Sequence, residues 1–158
     1  MVDSIISKIK TLSIIISVSS LLVMVFIVVV EIISRTLFSH SFMIADEYSS
    51  YLLSMIVFLG LINAFDSGSF VKVEIVYSKY SDNIKKYVDS FFLILLLLYS
   101  LVLTIYIIML NYDSFRMNLK SISLLETPLY IPQFFMSFGI VLFDIYLILK
   151  LIKQKGRG

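Results

Sequence analysis

Several residue types that build catalytic and metal sites are absent or nearly absent from this sequence. Cysteine does not occur, which excludes disulfides, thiolate metal sites, CxxC redox motifs and cysteine nucleophiles. The single histidine, His40, excludes paired histidine ligands for haem, copper or a zinc triad within the chain. The sequence also offers no Ser/His/Asp set and no pair of acid and base carboxylates at a useful spacing. We therefore expect no enzyme and no cofactor or metal site in this chain.

Charge is scarce as well. Charged residues make up 15% of the 158 residues, whereas a soluble domain has about 25%. The net charge of only +2 argues against nucleic acid as a partner. With 59% hydrophobic residues and a mean hydropathy of +1.00, a soluble fold would expose apolar patches that aggregate. This composition is typical of a membrane protein.

Four apolar stretches are long enough to cross a hydrocarbon core of about 30 Å, which takes about 20 helical residues. They are residues 12–34, 48–66, 90–112 and 131–152. Backbone groups in lipid must be satisfied internally, so each stretch should be a helix despite its many Ile and Val residues. The first run is too long for the apolar part of a signal peptide, and no A-x-A cleavage site follows it. The predicted fold is an all-α membrane protein with four transmembrane helices, forming one membrane domain over residues 1–158.

The basic residues predict the orientation. Ten of the 13 Lys and Arg residues lie in the two terminal segments and the middle connection, and three lie in the other two connections. The positive-inside rule then places both termini in the cytoplasm. Apolar and charged residues alternate at helical spacing over residues 70–88, which predicts an amphipathic helix in the cytoplasmic interface, with phospholipid as its partner. Residues 35–47 and 113–128 are predicted as two further interfacial elements.

Ionisable side chains within the spans are the first candidates for function, because they are costly in lipid. Glu31 is either an interfacial acid paired with Arg35 one turn later or a proton or cation site. Asp144 lies deeper in its span than Glu31 does. It either forms a hydrogen bond or ion pair with another helix or belongs to an ion pathway. Asp46 and Glu47 open the second span, where acids complement a helix N-terminus.

Two glycines fall within the spans, Gly60 in the second and Gly139 in the fourth. Glycine permits close approach of helices in lipid, although it is also common in membrane helices without any such role.

Taken together, these features resemble the small membrane subunit, DctQ-type, of tripartite ATP-independent periplasmic (TRAP) transporters. That family has an Arg-aromatic element after its first helix, an aromatic-x-x-Glu-Glu region, a Phe-Leu-Gly run, a Gly-x-His-hydrophobic-x-Val-Asp stretch, and a Pro…Pro entry to a last helix containing Gly. The matching segments here are SRTLF at 34–38, FMIADEY at 42–48, VFLG at 57–60, GSFVKVE at 68–74, Thr127-Pro128, Pro132 and Gly139. The chain departs from the family in three respects: Phe70 replaces the usual His, Asp66 stands where a basic residue is common, and Trp is absent.

The resemblance implies a division of labour in a bacterial inner membrane. A large subunit (DctM-type) would hold substrate and Na⁺ and move as an elevator, while a periplasmic binding protein would deliver an organic acid. This chain would be a scaffold beside the large subunit. The residues expected at helix or subunit interfaces are Gly60, Gly139 and Asp144, and those expected as docking or structural polar residues are Arg35, Asp46, Glu47, Gly68 and Glu74.

Two questions stay open at this stage. The substrate is a C4-dicarboxylate, sialic acid or another organic acid, and the sequence does not distinguish them. Small multidrug antiporters also have four short spans and one glutamate in the first helix, so a proton-coupled antiporter using Glu31 is an alternative. A further alternative is that the chain is an accessory subunit of another membrane complex.

Overall fold

The computed structural model describes residues 2–39, 41, 43–68, 82–123 and 125–155, and these residues form four α-helices. They are α1 (Val2–Phe38), α2 (Ala45–Asp66), α3 (Asp82–Arg116) and α4 (Tyr130–Lys155). Each of the four predicted spans lies inside one of these helices, and all four are long and apolar enough to cross a membrane. The prediction of an all-helical chain with four candidate membrane helices is confirmed.

The helices are longer than the spans predicted from hydropathy. Helix α1 has 37 residues and α3 has 35, so each is more than 50 Å long at about 1.5 Å per residue. A hydrocarbon core of about 30 Å is shorter than either helix. Both therefore continue into charged sequence beyond the lipid, where intrahelical hydrogen bonds still satisfy the backbone.

Helix α4 lies at the centre of the packing. Among the described residues, α1 packs mainly on α2, α2 also packs on α4, and α3 packs on α4. Successive helices run antiparallel, so the bundle has two distinct ends. We call the end with the start of α1 and the end of α4 the terminal end, and the end with the α1–α2 and α3–α4 connections the loop end.

The core and the outer helices bury different kinds of side chain. On α4 the core contains Ile140, Phe143, Tyr146 and Leu147. On α1 the buried residues are Ser13, Ser20, Glu31 and Ser34, and their intervals of 7, 11 and 3 residues place them on one face of the helix. Association of helices in lipid gains little from burying apolar surface, and small polar residues allow close packing and hydrogen bonds between helices. Most large aliphatic side chains of α1 point outward, whereas Ile6 and Ile9 pack against the core.

The connections differ in part from the predicted interfacial elements. Residues 35–38 and 45–47 are not a separate element but the last turn of α1 and the first turn of α2. Helix α3 continues to Arg116, and a short hairpin follows, defined by an antiparallel bridge between Lys120 and Pro128. The predicted amphipathic helix over residues 70–88 falls largely on residues 69–81, which lie outside the described residues, and its remainder is the start of α3.

Candidate functional site

At the loop end, two buried carboxylates tie the connections to the helices. Glu31, in the last two turns of α1, accepts hydrogen bonds from Arg35 Nε at 2.8 Å and from Ser41 Oγ at 2.6 Å, both to Oε1. The pairing with Arg35 that the i+4 spacing predicted is therefore present. With Arg35 and Ser41 both bound to Oε1, this carboxylate has the contacts of a structural ion pair at a helix end.

The second carboxylate, Glu47, fastens the α3–α4 connection to the start of α2. Its side chain accepts hydrogen bonds from Tyr51 Oη at 2.6 Å and, on the other oxygen, from the hydroxyl of Ser123 in the hairpin. Only 8% of Glu47 is exposed, whereas the adjacent Asp46 is exposed. Glu47 therefore holds the hairpin against α2, whereas Asp46 lies on the surface.

The hairpin itself is held by backbone and ionic contacts. Ser121 N donates to Thr127 O at 2.9 Å, and Leu129 N donates to Leu119 O at 3.0 Å. Lys120 Nζ lies 2.8 Å from Glu126 Oε2, and this ammonium holds the pKa of Glu126 below its ordinary value. Together with the Glu47 contact, these bonds give the connection a defined conformation.

An open groove of about 1020 Å³ runs between the hairpin and the start of α2. The charged residues lining it are Arg35, Asp46, Glu47 and Lys120. Arg35 and Lys120 keep about half of their side-chain surface exposed although each is paired with a glutamate. This groove combines exposed charges of both signs and is suited to contact with another protein's charged surface.

At the terminal end, a single carboxylate connects three helices. Asp66, the last residue of α2, lies 2.5 Å from Lys10 Nζ of α1 and accepts a 2.6 Å hydrogen bond from Tyr146 Oη of α4. Lys150 Nζ lies 3.5 Å from the same carboxylate and 4.5 Å from the centroid of the Phe65 ring. These contacts fix α1, α2 and α4 at this end of the bundle.

Two further contacts extend the terminal-end network. Lys153 of α4 pairs with Asp3 of α1, and Gln154 Nε2 donates to Ser90 Oγ of α3 at 3.0 Å. All four helices are thus linked there through polar side chains.

Inside the bundle, Asp144 of α4 is 5% exposed and accepts a 2.6 Å hydrogen bond from Thr104 Oγ1 of α3. Its other oxygen, Oδ1, is buried without a hydrogen-bond partner among the described residues. Between α1 and α2, the hydroxyl of Ser13 donates to the carbonyl of Leu59. Helix α1 therefore makes a polar contact with α2, and α3 makes one with α4, both within the candidate membrane spans.

The glycines predicted at helix contacts have different surroundings. A Cβ on Gly139 would lie 2.9 Å from Phe58 Cβ and 3.0 Å from the Phe58 carbonyl carbon, so α4 approaches the backbone of α2 there. A Cβ on Gly60 would meet nothing within 4 Å. Gly68 follows α2 with φ of 74°, a conformation that favours glycine after a helix end. Glu74 lies outside the described residues.

The described residues contain neither a metal-binding cluster nor a buried carboxylate without a partner in the chain. No three His, Cys, Asp or Glu side chains among them come close enough to hold a metal ion. The buried carboxylates Glu31, Glu47 and Asp144 are hydrogen-bonded by neighbouring side chains within the chain. Each of these three buried carboxylates therefore has a hydrogen-bond partner within the chain.

A comparison with protein-family models matches residues 24–155 to the DctQ component of tripartite ATP-independent periplasmic transporters. The chain belongs to the DctQ family. The matched range includes the C-terminal part of α1 and all of α2, α3 and α4, and the family is a transporter component rather than an enzyme family. Comparisons with curated proteins and with solved structures gave no match.

Sequence reasoning missed two features of this DctQ protein. Asp66 was noticed only as a departure from the family pattern, although an acid at a span end opposite several lysines is a signal for an ion pair. Four of the serines of α1 lie at positions 13, 17, 20 and 34, with intervals of 4, 3 and 14 residues, and this helical spacing places them on one face of the helix.

Proposed function

We propose that this chain is the scaffold subunit of a TRAP transporter, supporting a large elevator-type subunit in Na⁺-driven uptake of an organic acid delivered by a periplasmic binding protein. The observation that carries the proposal is the family match over residues 24–155, which includes α2, α3, α4 and the C-terminal part of α1. A protein whose described polar groups bind mainly one another has a structure suited to supporting a transport subunit. Na⁺ and substrate then belong to the large subunit.

The orientation is part of the proposal. In the sequence, ten of the 13 Lys and Arg residues lie in the two terminal segments and the middle connection, which supports a cytoplasmic location for the terminal end of the bundle in the inner membrane. The loop end, with its charged groove, then faces the periplasm. We propose that the exposed charges Arg35 and Asp46 in this groove contact the binding protein, and that Glu47 keeps the hairpin in place beside them.

Cysteine labelling tests the orientation, because the chain has no native cysteine. Ile122, which is fully exposed at the hairpin, is replaced by Cys in one variant, and Tyr80 of the middle connection in another. In intact cells with a permeable outer membrane, a membrane-impermeant maleimide should label Ile122→Cys but not Tyr80→Cys. Labelling of both variants from one side would overturn the four-span orientation.

Reconstitution tests the function. Proteoliposomes containing this chain alone should take up no organic acid under an inward Na⁺ gradient. Uptake should begin when the large subunit and the binding protein are both present, and a panel of C4-dicarboxylates and sialic acids would identify the substrate. Substrate transport by the isolated chain would contradict the scaffold role.

A further inference from the structure

Two tyrosines on α3 are exposed far from either end of the helix. Tyr99 is 63% and Tyr106 is 67% exposed, and both lie within the candidate span Tyr87–Arg116. Tyr99 follows the start of this span by about 18 Å, and Tyr106 precedes its end by about 15 Å, at about 1.5 Å per residue. Both residues lie inside the uncharged run 90–112, where Tyr99 is about 3 Å and Tyr106 about 7.5 Å from the central residue along the helix axis.

A tyrosine hydroxyl at this depth needs a partner. Neither hydroxyl is hydrogen-bonded by the residues that the structure describes, and lipid tails offer no acceptor. Helical side chains lean toward the N-terminus, so the Tyr106 ring is directed toward the bilayer centre and not toward the nearer loop end. An unpaired buried hydroxyl costs about 1–3 kcal/mol, which is why membrane tyrosines concentrate at the interfaces.

Tyrosines at the ends of the same span provide the contrast. Tyr87 is 79% and Tyr112 is 61% exposed, and each is close enough to a span end for its hydroxyl to reach water or headgroups. Exposed tyrosines in these positions suit an aromatic belt. Tyr99 and Tyr106 do not fit that explanation.

The two interior tyrosines share a face with other exposed side chains. We call this face the tyrosine stripe: it consists of Leu95, Tyr99, Val102, Tyr106 and Met109, which recur at steps of three and four. By helical geometry it lies opposite the α4-facing residues of α3, such as Thr104. An apolar groove of about 520 Å³ runs along it beside Tyr99 and Val102.

The other outer helix has no such feature. Helix α1 contains no tyrosine, and its exposed large side chains at membrane depth are Ile, Leu, Val and Phe. Phe26 of α1 is 67% exposed, equal to Tyr106, but it carries no polar group. The outer face of α1 is suited to lipid, and that of α3 is suited to protein.

We propose that the tyrosine stripe is the surface on which the large membrane subunit packs, with acceptors of that subunit binding the hydroxyls of Tyr99 and Tyr106. This inference rests on the proposed function, which supplies the partner. A second copy of this chain would present the same stripe, whose polar groups are again only tyrosine hydroxyls. A subunit that moves substrate across the membrane has polar side chains and unwound backbone carbonyls at this depth.

Photocrosslinking in the assembled transporter tests the surface directly. The photoreactive p-benzoylphenylalanine is placed at position 99, 106 or 26 of the tagged chain, which is coexpressed with the large subunit and irradiated in native membranes. We expect an adduct with the large subunit from positions 99 and 106 and none from position 26, which replaces an equally exposed aromatic residue on α1.

The outcomes separate the inference from the function on which it depends. If the large subunit copurifies but crosslinks only to position 26, or to none of the three positions, the stripe faces lipid and the inference is overturned. An adduct with a second copy of this chain would overturn it in favour of self-association. If the unmodified chain does not copurify with the large subunit at all, the proposed function itself fails.

A milder substitution tests the hydrogen bonds. Tyr99→Phe with Tyr106→Phe removes two hydroxyls and keeps ring volume, and we expect about a three- to tenfold weaker association with the large subunit. Tyr87→Phe with Tyr112→Phe is the matched control and should change association less than twofold. Equal effects of the two double variants would show that depth in the membrane is irrelevant, and would overturn the role of the hydroxyls.

Discussion

Helices α1 and α4 are both strongly apolar, but they bury opposite kinds of side chain. Helix α4 buries Ile140, Phe143 and Leu147 among its neighbours, whereas α1 buries Ser13 and Ser20 and turns most of its aliphatic side chains outward. In water, the pattern of α1 would expose a large apolar surface and be unstable. In lipid the outward aliphatic groups cost nothing, so close packing and hydrogen bonds decide which face is buried.

The largest effect should come from separating α2 and α4. Gly139→Leu places a side chain where even a Cβ would lie 2.9 Å from Phe58 Cβ and 3.0 Å from its backbone. We expect a loss of about 1–3 kcal/mol in the free energy of unfolding, the usual cost of overpacking. The measurement is unfolding of the purified chain from detergent micelles by SDS, followed by circular dichroism.

Gly60→Leu is the control for this prediction, because a Cβ at position 60 meets nothing within 4 Å. We expect this variant to unfold like the unmodified chain. Should both glycine variants lose the same stability, helix propensity and not the contact with α2 would explain the effect.

The contact between α3 and α4 should be next in size. Thr104→Val removes the hydroxyl that donates to Asp144 Oδ2 and leaves a buried carboxylate whose other oxygen has no partner among the described residues. An unsatisfied buried polar group costs about 1–3 kcal/mol. Thr104→Ser retains the donor and should retain most of the stability in the same SDS titration. A Val variant as stable as the Ser variant would show that this hydrogen bond is not needed.

Hydrophobic runs were sufficient to predict four helices, because the lipid forces any long apolar stretch to satisfy its own backbone. The pairing of Glu31 with Arg35 also followed from sequence, since residues four apart on a helix are neighbours. The contacts of Asp66 with Tyr146 and of Glu47 with Ser123 did not. These partners are 80 and 76 residues apart, and their proximity depends on how the helices are arranged.

A smaller effect should distinguish the two faces of α1. Ser13→Ala removes the donor to the Leu59 carbonyl at a fully buried position, and Ser19→Ala removes a hydroxyl from an exposed position of the same helix. Hydrogen bonds between membrane helices are worth about 0.6 kcal/mol on average, so Ser13→Ala should lose about that much stability. Ser19→Ala should lose none. The reverse order would show that the hydroxyl of Ser13 does not stabilise the contact with α2.

The smallest effect concerns the start of α2, where buried and exposed acids are adjacent. Asp46 is exposed in the loop-end groove, and Glu47 is buried against Tyr51 and Ser123. Exposed charges contribute about 0.2–1 kcal/mol each, so Asp46→Lys should slow binding-protein-dependent uptake modestly while the complex with the large subunit stays intact. Glu47→Lys should instead release the hairpin, which hydrogen exchange at Ser121 and Leu129 would detect as faster amide exchange. One pair of results would contradict this prediction: Asp46→Lys leaves uptake unchanged over a range of binding-protein concentrations, and Glu47→Lys slows uptake without faster amide exchange in the hairpin. In that case Glu47, and not Asp46, contacts the binding protein.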